Sequence, residues 1–142
     1  MELETVLYRK DGNVGIVTLN RTKAMNSLNK QIFADLTTAF EAAKSDHEVR
    51  CVVLNAEGRA FCAGGDIQEM KAITTEEAFF DFMSVAGGFT TLLNTFPKPV
   101  VAAAQGAIAG AGTSLLMAAD IALVAEDAVF IVAFGQVGLI PD

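Results

Sequence analysis

Arg59-Ala-Phe-Cys-Ala-Gly-Gly-Asp-Ile67 and Gln105-Gly-Ala-Ile-Ala-Gly-Ala-Gly112 are the stretches whose reading decides the fold. Each sets a turn of glycine and alanine between an apolar strand-like run and a helix-like run. Small residues let one backbone approach another closely, and a helix that starts in such a turn leaves its first N–H groups without intrahelical partners. Two turns of this kind can aim two N–H groups at one oxygen, which stabilises negative charge developing on a carbonyl. The rest of the chain is poor in chemically active side chains, so any catalytic reading rests on the backbone.

Outward from these turns, strand-like and helix-like runs alternate. Val14-Gly-Ile-Val-Thr-Leu19 is a β-branched apolar run entered through a turn at Asp11-Gly-Asn13. After a polar loop from Arg21 to Asn26, the apolar residues Leu28, Ile32, Leu36, Ala39, Phe40 and Ala43 recur at helical spacing. They predict an amphipathic helix over 29–44, capped by Ser27 or Asn29. Residues 49–54 read as a second buried strand ended by Asn55-Ala-Glu-Gly58. A short helix is expected over 66–71, and a longer one over 76–96, weakened by Gly87-Gly88 and stopped by Pro97-Lys98-Pro99. A third strand over 100–104, a helix over 109–118, a fourth strand over 121–125 and a short fifth over 130–132 complete the reading. This alternation indicates an α/β protein, and the recurrence of strand, glycine turn and helix suggests a spiral of similar units.

Composition narrows the function. With 142 residues, 52% hydrophobic and 19% charged, the chain can bury one real core and is no disordered polymer. Its net charge of −7 comes with no basic block, so no nucleic-acid partner is expected. Cys51 and Cys62 cannot build a disulfide framework and read as reduced thiols, pointing with the absence of a signal-like start to a cytoplasmic protein. From Pro99 to Ala119 there is no charged residue, but Ala, Gly, Gln105, Thr113 and Ser114 make this a buried strand-turn-helix, and no membrane association is expected. Nucleotide motifs fail: Leu115 stands where a third glycine of a dinucleotide fingerprint would be, and no GK[ST] is present.

Phe61-Cys-Ala-Gly-Gly-Asp-Ile67, Lys98-Pro-Val-Val-Ala-Ala-Ala-Gln-Gly106, Ala119-Asp-Ile121, Arg21-Thr-Lys-Ala-Met-Asn-Ser-Leu28 and Val137-Gly-Leu-Ile-Pro141 resemble, in order and spacing, the enoyl-CoA hydratase/isomerase (crotonase) superfamily. The resemblance implies a spiral of ββα turns that binds an acyl-CoA thioester and polarises its carbonyl with two backbone amides, here those of Gly65 and Ala111. Coenzyme A is then part of the substrate, and no separate cofactor is expected. The resemblance places Ala63 and the segment Gly65, Asp66, Ile67 and Gln68 along the pantetheine and acyl region, with Lys23 and Ala24 in the loop that cups the adenine. Asp66 also reads as the cap of the helix it precedes, and Cys62 as a packed thiol. Phe79, Phe80, Phe82, Met83 and Phe89 are candidates for an apolar acyl pocket or for core.

The same resemblance bears on the reaction. Hydratases of the family use two glutamates, and the corresponding positions here are Ser114 and Phe134, so ordinary hydration is disfavoured. The stretch from Phe130 to Asp142 resembles isomerases of the phenylacetate pathway, in which the aspartate after the proline is the acid/base. Asp142 would then relocate a proton through an enolate held by Gly65 and Ala111. A dehalogenase is disfavoured because His47, the one histidine, lies in a distant polar loop. The alternatives are a hydratase or hydrolase with atypical acid/base groups, and a catalytically silent acyl-CoA-binding homologue. The resemblance covers a little over half of a family member. Residues 1–142 are therefore expected to be the N-terminal part of the spiral domain, short of the C-terminal helices that build homotrimers or hexamers. The apolar faces of the last strands are expected to lack cover.

Overall fold

The computed structural model describes residues 1–138 and residue 140. It has the expected α/β architecture, in which successive turns of chain each add one strand to a large sheet and one to a small sheet. The large sheet has the order β1 (Val6–Asp11), β2 (Val14–Leu19), β3 (Cys51–Ala56), β5 (Val100–Ala104), β7 (Ile121–Val124). The small sheet has the order β4 (Ala60–Cys62), β6 (Ala107–Ala109), β8 (Val129–Ile131). Only β1 and β2 run antiparallel; β2, β3, β5 and β7 are parallel, as are β4, β6 and β8. Helices α1 (Lys30–Ser45), α2 (Ile67–Ala72), α3 (Glu76–Asn94) and α4 (Ala111–Met117) supply the connections that parallel pairing requires.

Three strands differ from the sequence expectation. Strand β1 precedes the Gly12-Asn13 turn and pairs Val6 with Leu19 through Asp11 with Val14. Its outer residues Arg9, Lys10 and Asp11 are exposed, so its pattern lacks the apolar signature of a buried strand. Strands β4 and β6 are three residues each and lie inside the small-residue turns. The helix expected over 109–118 therefore starts two residues later, because Ala107–Ala109 pairs with β4 and β8.

The core lies between the large sheet and the helices α1 and α3. Ile32, Leu36, Ala39, Phe40 and Ala43 of α1 are fully buried, as the helical spacing predicts. Asn29, of the two candidate caps, accepts the Ile32 N–H at 2.9 Å. From α3, Phe82, Phe89 and Leu93 are buried. Phe89 meets Phe33 and Phe40 with ring centroids 6.1 and 5.5 Å apart, and Phe96 meets Phe40 at 5.2 Å. Helix α3 runs unbroken through Gly87 and Gly88, which face open space.

Polar residues of the sequence motifs tie the turns of the spiral together. Lys98 Nζ donates to the carbonyls of Ala43 and Asp46 at 2.6 and 2.8 Å, closing the end of α1. Gln105 Nε2 donates to the carbonyls of Ala56 and Gly58. The Val100 N–H donates to Asp120 Oδ2 at 2.7 Å, fastening β5 to the start of β7. As expected, the last strands lack cover: every residue of β7 and β8 is exposed, including Leu123 at 59% and Phe130 at 49%. Parallel sheets normally have such apolar edges covered. Among the described residues no helix is long and apolar enough to cross a membrane.

Candidate functional site

The first small-residue turn, Ala63 to Asp66, leaves β4 and enters α2. It is held by the strap Arg21 to Leu28, which contains a 3₁₀ turn over Thr22–Ala24 and two left-handed residues, Met25 and Asn26. The Ala63 N–H donates to the Met25 carbonyl at 3.0 Å, the Leu28 N–H to the Gly64 carbonyl at 2.7 Å, and the Asp66 N–H to the Leu28 carbonyl at 2.8 Å. These last two bonds are the parallel bridge between Leu28 and Gly65. In such a bridge the central residue turns its own N–H and C=O to the opposite side. Among the described residues, nothing accepts the Gly65 N–H.

The second turn leaves β6 and enters α4. Gly110 takes a positive φ of 48°, and its N–H donates to the Ile131 carbonyl at 3.0 Å. Ala111 is the first residue of α4 and has no positive φ, so a methyl group is accommodated there without strain. A first helical N–H has no intrahelical acceptor, and no other described residue accepts that of Ala111.

The two turns touch backbone to backbone. At Gly64, with φ of 95°, a Cβ would sit 2.9 Å from the Ala109 carbonyl oxygen and 3.6 Å from the Gly110 Cα. At Gly112 it would sit 2.5 Å from the Cys62 carbonyl oxygen and 2.8 Å from the Cys62 Cβ. Glycine is required at both, since real contacts of that length do not occur. The tight approach sets the start of α4 directly against β4.

Side chains around the turns are mostly structural. Asp66 caps α2, its Oδ1 accepting from the N–H groups of Gln68 and Glu69 at 3.0 and 3.3 Å, while Oδ2 pairs with Arg21 Nη1 at 2.7 Å. Burial raises this carboxyl, but the Arg21 bond and the helix amides outweigh it and hold the group below its ordinary value. The Cys62 thiol is buried and pushed up to about 12 by desolvation, opposed by the Gly64 N–H, so it is a packed thiol as expected. Lys23 is exposed and Ala24 half-buried on the strap, while Ile67 and Gln68 lie exposed on the first turn of α2. Ser114 is half-buried on α4, Phe134 is buried in a 3₁₀ turn over Phe134–Val137, and His47 is exposed. Asp142 lies outside the described residues.

The apolar residues of α3 left open between pocket and core divide between the core and a hollow. Phe89 belongs to the core between α1 and α3, and Phe82 is also buried. Phe79, Phe80 and Met83 instead line an open hollow with Met70 and Ile73. Alternate faces of one helix explain the split, which a list of apolar residues alone does not reveal. Met70 links this hollow to the first turn, since a Cβ at Gly65 would lie 3.2 Å from its sulfur. The sequence reading also passed over Asn26. It is fully buried, accepts the Arg21 N–H at 2.8 Å, and donates to the carbonyls of Glu57 and Ala60 at 2.9 Å each. The available signal was its place in the quoted strap, between two turns that need anchoring.

The family model described as enoyl-CoA hydratase/isomerase matches residues 9–142. The chain is 37% identical to 1,2-epoxyphenylacetyl-CoA isomerase of Escherichia coli (strain K12), over 99% of this chain and 55% of that protein. It is 34% identical to trans-2-decenoyl-[acyl-carrier-protein] isomerase of Streptococcus mutans, over 100% of this chain and 55% of that protein. Its backbone matches the crystal structure of an enoyl-CoA hydratase from Polaromonas sp. JS666 with a TM-score of 0.92 and 37% identity, covering 96% of this chain and 54% of that one. The chain thus spans about half the length of the relatives it matches.

Proposed function

The chain belongs to the enoyl-CoA hydratase/isomerase family, and from that premise we propose that it carries the carbonyl-polarising half of an acyl-CoA isomerase. The observation that carries the reading is the pair of uncommitted N–H groups, at Gly65 and Ala111, on two turns packed against each other. Donors fixed before the substrate arrives cost no reorganisation when a thioester oxygen gains charge, and each is worth about 10²–10³ in rate. An acyl-CoA would lay its thioester between the two turns. Ala63, Asp66, Ile67 and Gln68 would border the pantetheine and acyl groups, with Lys23 and Ala24 beside the nucleotide end. Lys23 is exposed and takes part in no ion pair among the described residues, so its charge is available to a phosphate.

Isomerisation fits the side chains better than hydration does. Ser114 and Phe134 stand where hydratases of the family carry glutamates, and a phenyl ring cannot move a proton. One carboxylate, that of Asp142, suits a reaction that takes a proton from one carbon and returns it to another without water. Relatives named as isomerases and as hydratases both match the chain, which supports the family reading equally under either reaction.

The deciding experiment compares turnover of a β,γ-unsaturated acyl-CoA with hydration of its α,β isomer, for the wild type and Asp142→Asn. Isomerisation that falls steeply in Asp142→Asn while CoA-ester binding survives is the expected result. Efficient hydration by the wild type, or full isomerase activity in the variant, rejects the isomerase assignment.

A further inference from the structure

Each amide of the first turn is accounted for except one. The N–H groups of Ala63 and Asp66 are taken by Met25 and Leu28, and that of Gly64 faces the Cys62 thiol. The N–H of Gly65 shares a peptide plane with the Gly64 carbonyl, which accepts from Leu28 at 2.7 Å. In a trans peptide these two groups point in opposite directions. Whatever holds Leu28 therefore sets the direction of the Gly65 N–H.

Arg21 is placed to do this. Its Nη1 lies 2.7 Å from Ser27 Oγ and 3.1 Å from the Ser27 carbonyl, on the residue before Leu28. The same nitrogen lies 2.7 Å from Asp66 Oδ2, on the residue after Gly65. One guanidinium thus joins the two sides of the Leu28–Gly65 bridge. The pair is no loose surface contact, since the Arg21 and Asp66 side chains are only 26% and 12% exposed. Asp66 divides its work: Oδ1 alone caps α2, which leaves Oδ2 for Arg21.

We propose that Arg21 is a positioning residue: by joining Ser27 to Asp66 it locks the peptide plane that carries the Gly65 N–H. This rests on the reading that the Gly65 amide meets a thioester oxygen. A pair that only stabilised the fold would change melting temperature. A positioning pair also changes how strongly a bound carbonyl is polarised.

The test is isotope-edited infrared spectroscopy of butanoyl-CoA labelled with ¹³C at the thioester carbonyl, a saturated probe the enzyme does not consume, bound to the 142-residue chain. Wild type should lower the carbonyl stretch on binding. Arg21→Met and Asp66→Asn should each shrink that downshift, with probe affinity kept within about threefold in Arg21→Met. The double variant should shrink it no further, because both substitutions cut one link. Asp66→Asn retains a carbonyl oxygen for the helix cap, so it reports even where Arg21→Met does not fold. A wild-type downshift retained in full by either folded variant, or additive losses in the double variant, overturns the role of Arg21. Absence of any downshift in the wild type instead overturns the oxyanion reading, and the positioning role with it.

Discussion

Replacing Gly112 by Ala tests the contact that presses the start of α4 against β4. The new methyl would lie 2.5 Å from the Cys62 carbonyl oxygen, 2.8 Å from its Cβ and 2.9 Å from its Sγ. Favourable carbon contacts lie near 3.5–4.0 Å, so α4 and β4 must separate by roughly 1 Å. Overpacking of this kind costs about 1–3 kcal/mol, and the upper part applies because the opposing atoms belong to a strand. Unfolding entropy of about 2.1 cal/mol/K per residue over 142 residues converts about 2–3 kcal/mol into a fall in Tm of about 7–10 °C. Thermal melts followed by circular dichroism measure it directly. Adding Cys62→Ala removes only the Sγ contact and should recover little, since the carbonyl oxygen and Cβ remain. In an active form the neighbouring Ala111 amide would shift with the helix, and a 1 Å misplacement costs about 10² in rate. A Gly112→Ala protein that melts within about 1 °C of wild type would refute the packing argument.

The same Gly-to-Ala change at Gly87 or Gly88 should act with the opposite sign, because nothing lies within 4 Å of either site and both are helical. Each should stabilise by about 0.5–1 kcal/mol, read as a raised denaturation midpoint in urea. Asn26→Ala strips donors from the Glu57 carbonyl and the buried Ala60 carbonyl, removes the acceptor of the Arg21 N–H, and leaves a non-glycine residue at φ of 55°. A loss of about 3 kcal/mol or more is expected, and near-wild-type stability in urea would show that water replaces those bonds. Cys62 gives a pH dependence with a definite sign. Its thiol is raised from 9.0 to about 12 in the folded chain, so the unfolded state ionises first and stability falls as pH rises between those values. The slope approaches about 1.4 kcal/mol per pH unit, and Cys62→Ala should flatten it in denaturant titrations between pH 9 and 12.

How much was legible in the chain differs from element to element. Helix α1 announced itself through Ile32, Leu36, Phe40 and Ala43, because an amphipathic stripe is a local property of spacing. Strands β2, β3, β5 and β7 were legible as short apolar runs bounded by turn residues, a signal carried by neighbours along the chain. Strand β1 was missed because its exposed charged end mimics a loop. Strands β4 and β6 were missed for a different reason. Three residues of Ala, Phe, Cys or Ile carry no period, and they become strands only because another turn of the spiral lies beside them.

For the site, sequence alone located the two small-residue turns and determined that Asp66 caps α2 and that Cys62 is a packed thiol. Those follow from residue size, capping chemistry and the absence of a nearby base, all properties of neighbours along the chain. Only the tertiary structure decided that Gly64 and Gly112 press the two turns together, and that Asn26 and Arg21 hold the first turn from a strap about forty residues earlier in the chain. It also separated Phe82 and Phe89, which are buried, from Phe79, Phe80 and Met83, which line the hollow. The physical reason is the range of the interactions. Hydrophobic spacing and caps act within a helical turn, whereas the direction of an uncommitted N–H depends on which distant carbonyls and side chains fix the peptide plane around it.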